Sequence, residues 1–160
     1  MHIDDEIEIK AAPETVFAML SRIECWPHII PAIVDVEVVT SGPVQSGTRF
    51  LETRDIHGRR ETVEMTVAEY EAPRRLVMTA EAHGTRYRIA HDIDGERERT
   101  LLRISFSGEP VSIAARLLAP IGTLFAPSVR QHIRSDLEAL RRAVELDQLP
   151  DAAEAPGSGS

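Results

Sequence analysis

A single cysteine, Cys25, leaves no partner for an intramolecular disulfide and excludes a CxxC redox pair or a cysteine-rich zinc site. Asparagine is missing altogether, so there is no N-glycosylation acceptor. Aromatic residues make up only 4%, too few for a stacking platform that would hold single-stranded nucleic acid. Any core or cavity must therefore be walled mainly by Val, Ile, Leu, Met and Ala. Cations are also in the minority: the net charge of −8 opposes attraction to phosphate, so no nucleic-acid partner is expected. Part of that charge is local, because Glu145, Asp147, Asp151 and Glu154 follow one another with no Lys or Arg between them. The opening MHIDDEIEIK lacks the cationic-then-apolar profile of a signal peptide, which predicts a cytoplasmic location. One stretch, Pro110 to Val129, merits testing as a membrane span, but Arg116, Pro120, Gly122 and Pro127 interrupt it. No integral membrane span is expected.

What is present suits one folded unit. A hydrophobic fraction of 42% with 28% charged residues is ordinary for a globular chain, and 160 residues fit one domain. We place that domain at 1–146 and an acidic, Gly/Ser-biased disordered tail at 147–160. Ile3, Ile7 and Ile9 alternate with charged neighbours as in a half-buried strand. Pro13 then suits a helix start, with Val16, Phe17 and Leu20 on one face, and Cys25 to Pro31 predicts a second short helix or turn.

Strand signals follow at Val34–Val39, Thr48–Asp55, Glu61–Tyr70, Leu76–Glu81, Thr85–Ile93 and Thr100–Ser107. Ser41-Gly42-Pro43, His57-Gly58, Pro73, Gly84 and Asp94-Gly95 punctuate them, which predicts an antiparallel meander. Val129, Ile133, Leu137, Leu140 and Val144 make one apolar stripe on a closing helix from Ser128 to Leu146, roughly 28 Å long. The fold class is thus α+β: a curved antiparallel sheet of about seven strands around a long C-terminal helix, with two short helices between the first two strands. A cavity between sheet and helix is the structural expectation.

The order of these elements, with IEIKAAPETVFAML at 7–20, Trp26-Pro27, Ile30-Pro31, the segment 47–76 and LEALRRAVE, resembles the START/birch-pollen-allergen-like (SRPBCC) superfamily. Within it the chain is similar to the bacterial polyketide cyclase/dehydrase and lipid-transport group. The resemblance spans nearly the whole chain to about Glu145 and implies a helix-grip fold with a cavity for a hydrophobic small molecule: a polyketide, quinone or lipid. Carried over residue by residue, it implies a wall of Val63, Met65, Val67, Tyr87, Ile89, His91, Leu102, Ile104 and Phe106. It implies a lid of Trp26, Ile29 and Ile33 on one side and Leu124, Phe125, Val129 and Ile133 on the other. The aromatase/cyclase members polarise carbonyl oxygens with an arginine inside the cavity. The resemblance puts Val67 at that position and Val63 at a cavity tryptophan, while Trp26 matches. An enolate would thus lack its electrostatic stabiliser.

Several residues invite chemistry. His91 shares the register of Tyr87 and Ile89, so it points either into the cavity as an acid or base, or to a hydrogen bond at the strand's end. Tyr87 offers a hydroxyl to a ligand carbonyl. Glu52 and Arg54 share Phe50's register, while Leu51 and Thr53 offer a competing inward face. The expected arrangement is outward, because ionised side chains are seldom buried without compensation. Cys25 reads as a packing residue, since adjacency to Trp26 and His28 supplies no positioned base. The six histidines show no short paired spacing, so neither a metal nor a cofactor is expected. Pro120 and Pro127 break the apolar segment near the cavity mouth, which leaves two readings: a gate, or a cap on the sheet.

The sequence reading is non-catalytic binding or transport of a hydrophobic small molecule. Its alternatives are a cyclase, aromatase or dehydratase-type enzyme, and a protein-interaction module whose cavity is filled by its own side chains. Catalytic residues and oligomeric state stay open.

Overall fold

The computed structural model describes residues 1–146; the tail expected at 147–160 lies outside them. Seven antiparallel strands form one sheet: β1 (His2–Ile9), β2 (Ile33–Val38), β3 (Arg49–Ile56), β4 (Arg59–Glu71), β5 (Arg75–Ala82), β6 (Thr85–Glu96) and β7 (Arg99–Pro110). Their spatial order is β1-β7-β6-β5-β4-β3-β2, so the meander runs unbroken from β2 to β7 and β1 closes onto β7. Helices α1 (Pro13–Ser21) and α2 (Trp26–Ile29) fall between β1 and β2. After β7 come α3 (Ile113–Gly122), a 3-10 turn (Thr123–Phe125) and α4 (Ala126–Glu145).

Local sequence explains most of the boundaries. His57-Gly58 and His83-Gly84 both place two successive residues at positive φ, the tight hairpin geometry whose twist matches that of the flanking strands. Asp94-Gly95 is not a turn: β6 runs on to Glu96 and reverses at Arg97, whose φ is 48°. Gly95 serves a different need, since a Cβ there would meet the Arg99 carbonyl oxygen at 2.2 Å. The register of β4 against β5 shifts between Val67 and Glu69, a bulge that returns Tyr70 to the inner face. There its ring meets Phe17 of α1 edge-on, with centroids 5.1 Å apart.

The two ends of the inner face differ. At one end α1 and α2 close the sheet, and Phe50, Leu76, Met78, Leu102, Leu137 and Leu140 pack into a continuous buried core. Leu137, Leu140, Ala143 and Val144 of α4 belong to this closed end, where the Lys10 backbone N–H donates to Glu145. At the other end lie the β3–β4 and β5–β6 hairpins, and only the first turns of α4 cover the sheet. Arg134 holds the helix to β1 there by donating to Asp5 and to the Glu6 carbonyl.

Candidate functional site

A cavity of about 450 Å³ occupies the open end between the sheet and α4. Period-2 alternation aims Val63 and Met65 of β4, Ala80 of β5, Tyr87 and Ile89 of β6, and Phe106 of β7 into it. Val129 and Ile133 of α4 face them, and Phe125 stands at the mouth. Tyr87 and Phe106 lie side by side with ring centroids 5.7 Å apart and form an aromatic corner of the wall.

The other sequence-expected residues lie elsewhere. Trp26, Ile29, Ile33, Val67, Leu102 and Ile104 pack in the buried core and do not line the cavity. Trp26 instead meets Phe50 edge-on at 5.7 Å. Leu124 turns outward and is 76% exposed. His91 faces inward but one layer below Ile89, opposite Leu76 and Ile104 in the neighbouring strands. Burial pushes its pKa down to about 4, against the smaller opposing effects of a hydrogen bond with the Leu76 backbone and of Asp92. It is therefore a neutral core histidine at physiological pH, and its Nδ1 has no hydrogen-bond partner among the described residues.

The outward expectation for Glu52 and Arg54 is overturned. Both line the cavity, with side chains only 10% and 27% exposed. Arg54 Nε donates to Glu52 Oε1 at 2.7 Å, and its Nη2 lies 2.8 Å from Asp136 Oδ2 on α4. Asp136 is the compensation that a strand-only reading lacked. Burial disfavours the Arg54 charge, but the two carboxylates outweigh it and push the pKa above its ordinary value. The cluster therefore carries one cation between two carboxylates at the edge of an apolar chamber.

A signal for this orientation was present in β4. Phe50 pairs with Met65 and Glu52 with Val63 across the β3–β4 ladder. Directly opposite residues in an antiparallel pair share a face, so placing Val63 and Met65 inward also places Phe50 and Glu52 inward. His132 sits three residues after Val129 and also lines the cavity, with its ring 6.0 Å from that of His57. At the rim His83 pairs with Glu61. Among the described residues no group of three or more His, Cys, Asp or Glu side chains is arranged to hold a metal ion.

Comparison with known proteins fits this architecture. The aromatase/cyclase ZhuI from Streptomyces sp. R1128 superimposes with a TM-score of 0.69 at 14% identity, over 95% of this chain and 98% of its own. A START superfamily protein from Mycobacterium smegmatis gives 0.66 at 18% identity, over 93% and 99%. Ara h 8.0201 gives 0.71 at 16% identity, over 90% and 97%. At these identities the likeness establishes the fold alone. No curated protein matches the sequence. Residues 1–145 match the family described as polyketide cyclase / dehydrase and lipid transport. The chain is a helix-grip protein of the START/Bet v1-like superfamily and belongs to its polyketide cyclase / dehydrase and lipid transport family.

Proposed function

We propose that the domain spanning residues 1–146 binds a hydrophobic small molecule non-covalently in the cavity at the open end of the sheet, as a carrier or sensor. The observation that carries this reading is a chamber of about 450 Å³ with mostly apolar walls, the Glu52–Arg54–Asp136 cluster at its edge, and Glu61, His83 and His132 also in its lining. Its size falls within the range of small-molecule sites, about 300–1,000 Å³, and such sites pair mostly apolar walls with a few fixed polar groups. Members of the superfamily bind hydrophobic ligands, which supports the same reading. Burial of the ligand against Val63, Met65, Ile89 and Phe106 supplies affinity at about 25 cal/mol per Å², before association costs. Arg54 and Tyr87 orient its polar end. The open chamber argues against an interaction module filled by its own side chains.

The test is native mass spectrometry of gently purified protein, with organic extraction of whatever it releases. A discrete adduct of a few hundred daltons, absent from Val63→Trp, is the expected result. A clean apo mass that persists after incubation with lipids, quinones and aromatic polyketides overturns the proposal.

One observation favours a catalytic variant of this reading. Glu52 takes Arg54 Nε and Asp136 takes Nη2, so the guanidinium at the cavity edge keeps Nη1 as a donor for a developing enolate, while the two carboxylates offset its charge. Cyclisation of a poly-β-keto substrate by the parent that is lost in Arg54→Gln, at a temperature where circular dichroism shows this variant still folded, would make the protein an enzyme. Equal turnover by both proteins removes that variant.

A further inference from the structure

The segment between β7 and α4 inverts the usual amphipathic arrangement. On α3 the small residues Ala115 and Ala119 face the body, with Ala115 and Ser112 crowding the position of Gly84. The large residues Ile113, Leu117, Leu118 and Ile121 point away and are between 52% and 78% exposed. Leu124 and Phe125 in the following turn continue the ridge at 76% and 62%. No residue of α3 is buried, although the helix is properly started by the Ser112 hydroxyl, which accepts from the Ala115 backbone N–H. A globular chain does not gain by aiming six large apolar side chains at water, and an exposed apolar patch of this kind marks an interaction surface.

Charge identifies the occupant. In a chain with net charge −8, residues 110–135 contain no Asp or Glu but include Arg116, Arg130 and Arg134. Arg134 is held by Asp5 and Glu138 and Arg130 lies within electrostatic reach of Asp4, whereas Arg116 is exposed and makes no ion pair among the described residues. On the helical wheel Arg116 flanks the arc of Ile113, Leu117 and Ile121, the pattern of a helix that lies in a bilayer interface. A second copy docked through the same ridge would bring two arginine-bearing surfaces together with no Asp or Glu in residues 110–135 of either copy to offset them. An anionic lipid surface meets both features at once: acyl chains receive the leucines and head groups receive the arginines.

We propose that the α3 ridge, Ile113 to Phe125, docks the protein on an anionic bilayer surface, with the cavity mouth at Phe125 and Val129 turned toward the lipid. This surface is independent of whether the cavity carries or transforms its ligand.

The experiment is sedimentation of the full chain with vesicles of 30% phosphatidylglycerol in phosphatidylcholine, against pure phosphatidylcholine. Binding to the anionic vesicles is expected, weakened about five-fold in Arg116→Gln, a change on the scale of one interfacial cation. Leu117→Glu with Leu124→Glu should weaken it at least ten-fold, while circular dichroism and thermal unfolding stay as in the parent because both side chains are already exposed. Equal binding to neutral vesicles, or binding untouched by the double substitution, overturns the proposal. So does failure to sediment. A solution dimer disrupted by the double substitution would then give the ridge to a second copy, and a strict monomer would give it to a protein partner.

Discussion

Replacing Arg54 by Met should destabilise the fold by about 3 kcal/mol, a loss that tests the inward orientation of the Glu52–Arg54–Asp136 cluster. The substitution removes two charge-assisted contacts, at 2.7 and 2.8 Å, and leaves two carboxylates that are only 10% and 15% exposed. Each such hydrogen bond contributes about 1.5–3 kcal/mol, and breaking a buried pair by removing one partner costs about 3–5 kcal/mol. The residual exposure of Arg54 argues for the lower end of that range. A solvated pair on the outer face would lose no more than about 1 kcal/mol. With a urea m-value of about 2 kcal/mol per molar, the unfolding midpoint at pH 7 should fall by about 1.5 M.

The orphaned carboxylates supply an internal control. Adding Glu52→Gln and Asp136→Asn to Arg54→Met should recover most of the loss. A midpoint shift under 0.5 M, or a triple variant no more stable than the single one, would refute the reasoning.

Further outcomes follow from the same geometry. His91 is held neutral with a pKa of about 4, so the unfolded chain binds its proton first as pH falls. Stability should therefore decline from pH 6.5 to 4 by up to about 3 kcal/mol, and His91→Gln should flatten that part of a pH series of denaturant melts. Leu137→Ala, at a fully buried position under α4, should lose about 3–5 kcal/mol, whereas Leu117→Ala on the exposed ridge should change stability by less than about 0.5 kcal/mol. Val63→Trp fills the chamber and should abolish ligand uptake while thermal unfolding remains cooperative. Retained uptake would place the site elsewhere.

The meander from β2 to β7 was legible from the short connections between its strands, and the inward faces of β4, β6 and β7 from alternation with period two, a local property of the chain; the pairing of β1 with β7 was not. Where the sequence misled, the missing information was not local. Asp94-Gly95 carries a hairpin signature, yet Gly95 is required by the close approach of Arg99, a relation visible only across the ladder. Within their own strand Glu52 and Arg54 make only a two-residue pair, whereas their compensation comes from Asp136, eighty-two residues beyond Arg54 on another element. The depth of the chamber depends on how far α1 and α2 fill the curved sheet. Val67, His91, Leu102 and Ile104 have the right face but lie in the filled half. Alternation selects a face; it does not select a position along the groove.

The pairing of β1 with β7 has a consequence during synthesis. β1 is the first strand to be made, yet its hydrogen-bonding partner follows about a hundred residues later. At about 5–20 residues per second, β1 waits on the order of 5–20 s for Phe106 to meet Ile3. Throughout that interval the meander can grow from β2 onward without it. The alternating acids of β1, Asp4, Glu6 and Glu8, keep the waiting strand soluble and discourage pairing with the same strand of a neighbouring chain. The sheet is thus complete only when its first strand meets its last.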